Sequence, residues 1–209
     1  MAQETRKPNR RQMQAAQTRR DIILAATELF TERGYARTSV ADIAARASVS
    51  VQTIYSSVGS KAQLITAMLD EVDEIAGIPE LARKGAQATD PREIIGYQAR
   101  ITRQLNERCR AILAGLRSAA HVDADIATAY AGGIARHLAG ARFTVGRLQA
   151  VGALRPGLDA DTAAAAVAVI SSIDAYVQFV TEHGWDYDRC EAWVRQTLEE
   201  LLLARLVSE

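Results

Sequence analysis

The sequence predicts an all-α protein of about nine helices, with a compact helix-turn-helix unit near the N-terminus and a larger helical remainder. Three observations carry this. Apolar residues recur at helical spacing in segments rich in alanine, leucine, arginine and glutamate. Alternating β-branched runs with Asn-Gly or Asp-Gly turns do not occur. Helix caps and stops punctuate the chain at regular intervals. Hydrophobic residues make up 48% of the 209 positions, enough to bury a core.

Residues 1–17 are polar and basic, with Arg6, Lys7, Pro8, Asn9, Arg10 and Arg11, and read as a flexible arm. A first helix is expected over Thr18–Arg33, because Ile22, Ile23, Ala26, Leu29 and Phe30 share one face. Gly34 stops it, and Tyr35 can pack back on its last turn. Ser39 and Asp42 have capping-box spacing, which starts a short helix over Val40–Arg46. The turn Ala47-Ser48-Val49 follows. Ser50 caps a third helix over Val51–Ser56, and Ser60 caps a fourth from Lys61 to about Ala76. Gly77-Ile78-Pro79 breaks that helix.

Asp90-Pro91-Arg92-Glu93 combines a cap, a first-turn proline and a glutamate, and opens a helix reaching about Ala120. His121-Val122-Asp123 restarts the pattern towards Gln149. Gly152–Leu158 is a loop. Asp159 or Asp161 caps an apolar helix reaching Glu182, and Asp186 or Asp188 caps a last helix ending near Val207. The domain division that follows is an arm at 1–17, a helix-turn-helix domain at 18–64 and a helical domain at 65–209.

Net charge is zero but unevenly placed. Residues 1–66 hold ten Lys/Arg against five Asp/Glu, a net +5, so the remainder carries −5. A basic first third suggests a polyanionic partner for that part alone. No acid lies among the 27 residues between Asp42 and Asp70, which suits a surface that approaches phosphate.

Residue types within 18–64 sharpen this. Val40, Ile43, Ala44, Ala47, Val49 and Ile54 are apolar where two short helices must face each other and the first helix. Val51, Gln52, Thr53, Tyr55 and Ser56 then point outward from the third helix. Gln52 can pair with adenine through two hydrogen bonds, and Val51 or the Thr53 methyl can touch a thymine methyl. Ser50 with the free N–H groups behind it can hold a phosphate, and Thr38 and Ser39 could contribute similarly. No Arg or Lys lies on that outer face, so little guanine readout is expected from it. The basic arm could enter a minor groove.

The stretch Thr18–Leu64 resembles the DNA-binding region of the TetR family of bacterial transcriptional regulators. The matching residues are Ile22-Ile23, Ala25-Ala26, Leu29-Phe30, Gly34-Tyr35, Thr38-Ser39-Val40, Ile43-Ala44, Ala47, Val49-Ser50, Tyr55, Lys61 and Leu64. The resemblance implies that Tyr55 and Lys61 contact the DNA backbone. Three positions depart from the usual pattern: Ser48 where many members have glycine, Ser57 where many have histidine, and Val58 where many have an aromatic. A positive φ at Ser48 would cost about 1 kcal/mol.

The remaining helices resemble the family only in class and length. The resemblance implies a small-molecule site among them and a homodimer through the last two helices. The candidate ligand residues are Tyr97, Arg100, Arg117, His121, Tyr130, His137 and Phe143, polar or aromatic groups on mostly apolar helices. Ala163–Val180 is apolar nearly all round, and the last helix adds Trp193, Val194, Leu198, Leu201, Leu202 and Leu206. About half of these side chains are expected in the chain's own core, the rest against a second copy.

Enzyme chemistry finds no support: no GxSxG, HExxH or P-loop occurs. His121, His137 and His183 lack metal-ligand spacing, so neither metal nor cofactor is expected. Cys109 and Cys190 read as free thiols of a reducing cytoplasm, and no secretory signal precedes them. The longest apolar run, Ala163–Ile170, is too short to span a bilayer, so no membrane partner is expected. The reading is a cytoplasmic, ligand-responsive repressor of double-stranded operator DNA. Its rivals are a regulator without an effector, and an enzyme or small-molecule carrier with a structural N-terminal unit.

Overall fold

The computed structural model describes residues 9–204. Among them are ten α-helices and no strand: α1 (Arg10–Arg33), α2 (Val40–Arg46), α3 (Val51–Ser57), α4 (Lys61–Ile75), α5 (Ile78–Gln87), α6 (Pro91–Ala119), α7 (Ala124–Ala150), α8 (Ala160–Ile170), α9 (Ile173–Thr181) and α10 (Tyr187–Leu202). A lone bridge pairs Leu154 with Leu203.

The last helix ends at Leu202, short of the expected end near Val207, and Leu206 lies outside the described residues. Three other elements differ from the sequence expectation. α1 starts at Arg10 rather than Thr18. Asn9 caps it, and Gln12 closes a capping box by accepting from the Asn9 N–H. Residues 10–17, with Arg10 and Arg11, therefore sit on a helix instead of a flexible arm, and residues 1–8, with Arg6 and Lys7, lie outside the described residues. Gly77, in a left-handed conformation, does end α4, yet Pro79 sits in the first turn of a new helix, α5. A proline is tolerated there because its missing N–H had no partner anyway. The expected single helix from 160 to 182 is two, split at Ser171-Ser172, where the Ser172 hydroxyl caps α9 through the Ala175 N–H. Ala160–Thr181 is long and apolar enough by composition to cross a membrane, with a mean hydropathy of 1.6. The break and the packing of one face into a core give it a structural use.

The chain forms two compact units. The first runs to Asp70 and takes in Ala111–Tyr130; the second comprises Glu71–Arg110 and the chain from Ala131 onward. The expected boundary near residue 64 did not anticipate that Ala111–Tyr130 belongs with the N-terminal helices. At this point the small Gly115 meets Phe30: a Cβ built there would lie 3.9 Å from the Phe30 Cβ.

In the first unit Ile22, Leu29, Ile43, Ile54, Leu64 and Met68 are almost fully buried. Each buried aliphatic side chain of this size stabilises the fold by about 1.5–3 kcal/mol. The second unit has its own core, in which Ile95, Leu148, Val167, Tyr176, Val194 and Leu198 pack together. Val194, Leu198 and Leu202 are therefore core residues of their own chain, whereas Val169 is 70% exposed and Trp193 37% exposed.

Candidate nucleic-acid interface

Three helices position the reading surface. α2 and α3 are joined by the Ala47-Ser48-Val49 turn. The Val49 N–H donates to the Ala44 carbonyl at 3.0 Å, and the Ser48 N–H donates to the Ala45 carbonyl at 3.3 Å. This bond pair is a Schellman motif, which needs a left-handed residue at its centre. Ser48 takes that place with φ 55°, and no other described non-glycine residue has positive φ. The expected strain at this departure from the family pattern is therefore present.

Ile54 anchors α3 from beneath, buried to 1% exposure. Its neighbours on the opposite side are free: Val51 is 40% exposed, Tyr55 51%, and Gln52 and Ser56 are also exposed. Ser50 caps α3, its hydroxyl accepting from the Thr53 N–H at 3.0 Å and sharing a 2.7 Å hydrogen bond with the Thr53 hydroxyl. The Ser56 hydroxyl donates back to the Thr53 carbonyl. Gln52 thus has the one uncommitted amide of the expected reading residues, while Thr53 offers mainly its methyl.

Cations brace the unit from outside. Arg19 donates to the Ser57 carbonyl at 3.2 Å, so α1 holds the C-terminal end of α3, where a positive charge suits the helix dipole. Arg46 of α2 pairs with Glu28 and Glu32 of α1 at 2.9 and 3.0 Å. Its guanidinium lowers the Glu32 carboxyl below its ordinary value. Neither arginine stood out in the sequence, because partners 38 and 18 positions away leave no local signal.

Thr38 is a correction. The sequence places it at the DNA surface, but it is 1% exposed, and its hydroxyl donates to the Gly34 and Leu29 carbonyls. It locks the Gly34 turn to α2. Ser39 is exposed, but its hydroxyl donates to the Asp42 carboxylate at 2.5 Å. That bond pulls the Asp42 carboxyl below its ordinary value and leaves Ser39 beside a negative charge.

Lys61 opens α4, behind a further capping box made by Ser60 and Gln63. Its ammonium lies 3.9 Å from the centroid of the Tyr35 ring. Partial burial lowers its pKa. Tyr35 in turn packs against Phe30 at 5.4 Å. Burial, then the Asp123 carboxylate, push the Tyr35 hydroxyl up.

The expected ligand residues fall in both units. Arg117, His121 and Tyr130 belong to the first unit, and Tyr97, Arg100, His137 and Phe143 to the second. In the second unit Tyr97 packs on Gly85, where a Cβ would come within 3.1 Å of it. Arg100 pairs with Glu191 at 3.5 Å. The His137 ring, through Nε2, bonds the Ala168 carbonyl at 2.8 Å. The helix break explains that bond, since the Ser172 N–H goes to Val169 instead. Phe143 is half exposed. An open depression of about 460 Å³ does exist between α6 and α10, lined by Arg92, Arg103, Asp188, Glu191, Arg195 and Glu199. None of the seven expected residues lines it, and its charges pair with one another. Among the described residues no cluster of three or more His, Cys, Asp or Glu could hold a metal.

Comparison with known proteins places the N-terminal unit. Residues 22–68 match the model for bacterial regulatory proteins of the TetR family. The HTH-type transcriptional regulator TtgR of Pseudomonas putida is 40% identical over 78 residues, 37% of each chain. The match thus spans little more than a third of that relative. Two solved structures share the fold along nearly the whole chain. A transcriptional regulator from Saccharomonospora viridis in complex with choline is 19% identical with a TM-score of 0.76, over 91% of this chain and 100% of that one. NalD, the secondary repressor of the MexAB-OprM multidrug efflux pump in Pseudomonas aeruginosa, is 22% identical with a TM-score of 0.73, over 92% and 99%. Over residues 22–68 this chain is thus similar to the bacterial regulatory proteins of the TetR family.

Proposed function

We propose that the chain is a homodimeric transcriptional repressor, acting in the cytoplasm on double-stranded operator DNA and released from it by a small molecule. One observation carries the DNA-binding part: α3 is anchored by buried Ile54 and presents Val51, Gln52, Tyr55 and Ser56 outward. Lys61 adds a cation at the start of the next helix. Gln52 reads a base edge, while Tyr55 and Lys61 fix register on phosphates.

One such unit makes few contacts, so two copies read half-sites about 34–36 Å apart. Exposed Val169 and Trp193 on α8 and α10 support pairing through the last helices. α4 starts at Lys61 in the DNA-binding unit and continues past Asp70 into the second, which makes it one covalent route for coupling, beside α6 and α7. A ligand lowers operator affinity by its differential affinity for the two states and by no more.

That an S. viridis regulator of this fold holds choline, and that NalD is a repressor, supports the effector reading. The open, self-paired character of the α6/α10 depression favours the alternative, a regulator without a small-molecule effector. Binding to duplex DNA across a salt series tests the DNA role, and a ligand screen for release separates the alternatives. Lys61→Ala should weaken all sequences alike and reduce the salt slope by about 1. An unchanged slope removes Lys61 from the interface.

A further inference from the structure

The sequence offers Tyr35 as a residue packing on the end of α1 and as part of the matched Gly34-Tyr35 pair. In the structure its ring carries the Lys61 ammonium at 3.9 Å, well inside the range of about 6 Å over which a cation is drawn to an aromatic face. The ring cannot drift. Phe30, 96% buried, lies 5.4 Å away at 59°, and Gly34, with φ 79°, turns the chain so that Tyr35 comes back on α1.

Three other cations around the helix-turn-helix are held differently. Arg46 pairs with Glu28 and Glu32, Arg33 lies 3.8 Å from Asp42, and Arg19 donates to the Ser57 carbonyl. Lys61 has no carboxylate partner among the described residues. An acid in place of Tyr35 would hold the ammonium equally well but would cancel its attraction for phosphate. An aromatic face holds it with its full charge available. Lysine needs such help, since its four-carbon stem is flexible and loses much rotamer freedom on being fixed.

We propose that Tyr35 is a positioning residue for DNA binding: its ring seats the Lys61 ammonium at the start of α4, so that the cation meets a DNA phosphate from a fixed place. This rests on the DNA-binding reading above. The hydroxyl plays no part in it, so the ring alone should suffice.

Two readouts test it. One is the upfield ring-current shift of the Lys61 ε-methylene protons in the free protein, by NMR. The other is affinity for duplex DNA across a salt series. Tyr35→Phe should keep both. Tyr35→Leu should abolish the shift and weaken binding about three- to tenfold. The double variant Tyr35→Leu/Lys61→Met should bind no more weakly than Lys61→Met alone. If Tyr35→Leu unfolds, a trifluorinated phenylalanine at position 35 keeps the shape but drains the ring face of negative charge, and must weaken binding too. Full additivity of the two single losses overturns the proposal, as does lost shift with unchanged binding. If Lys61→Met alone leaves affinity and slope unchanged, the DNA role of Lys61 fails first, and this proposal with it.

Discussion

Replacing Ser48 with glycine isolates the strain in the turn that sets α3 against α2. Ser48 sits at φ 55° at the centre of the Schellman motif, and no hydrogen bond from its hydroxyl offsets that conformation among the described residues. A left-handed L-residue costs roughly 1–2 kcal/mol. Glycine removes that cost but adds about 0.4–1 kcal/mol of unfolded-chain freedom. The difference is a net gain of about 0.5–1 kcal/mol. The side chain is exposed, so no packing is lost. Urea unfolding followed by circular dichroism is the assay, with the m-value expected unchanged. Ser48→Ala keeps the strain and should gain nothing. A neutral or destabilising Ser48→Gly would show that the serine side chain stabilises the turn in a way the geometry does not contain.

Two further substitutions test the buried polar groups. Thr38→Val keeps the shape but removes the hydroxyl that serves Gly34 and Leu29, so unfolding should become about 1 kcal/mol easier while duplex affinity of the folded protein stays unchanged. A clear loss of DNA affinity at intact stability would return Thr38 to the interface. The Tyr176 hydroxyl is buried with no hydrogen-bond partner among the described residues, and burial pushes its pKa far up. Tyr176→Phe should therefore stabilise the protein by about 1 kcal/mol in the same urea assay, and a loss would reveal a partner for that hydroxyl.

Much of this was legible in the sequence where the determinants are local. Caps at Ser39 and Ser50 fall where expected, and of the paired candidates Asp159 and Asp186 are the caps, because each acts within three residues of itself. Asn9 was missed as a cap: a basic, proline-containing tail masked it. The break at Ser171-Ser172 was missed because Ala163–Ile170 before it is apolar throughout, and periodicity gives no warning there. At the site, the outward set Val51, Gln52, Tyr55 and Ser56 follows from helical spacing around Ile54. Thr38 could not be placed that way, since its burial depends on a turn at Gly34 that folds it inward. Tyr35 with Lys61, and Arg19 with Ser57, are pairings across the unit that no one-dimensional pattern encodes.

The central claim is that the exposed face of α3 reads DNA through Gln52. Selection of bound duplexes from random sequence tests it most directly, with wild-type protein and Gln52→Ala side by side. The account predicts a two-fold symmetric site for the wild type, and for Gln52→Ala the same site with adenine preference relaxed at one position per half-site, a loss there of about 1–3 kcal/mol of discrimination. An unchanged base preference in Gln52→Ala, or no selected sequence from the wild type, would contradict it.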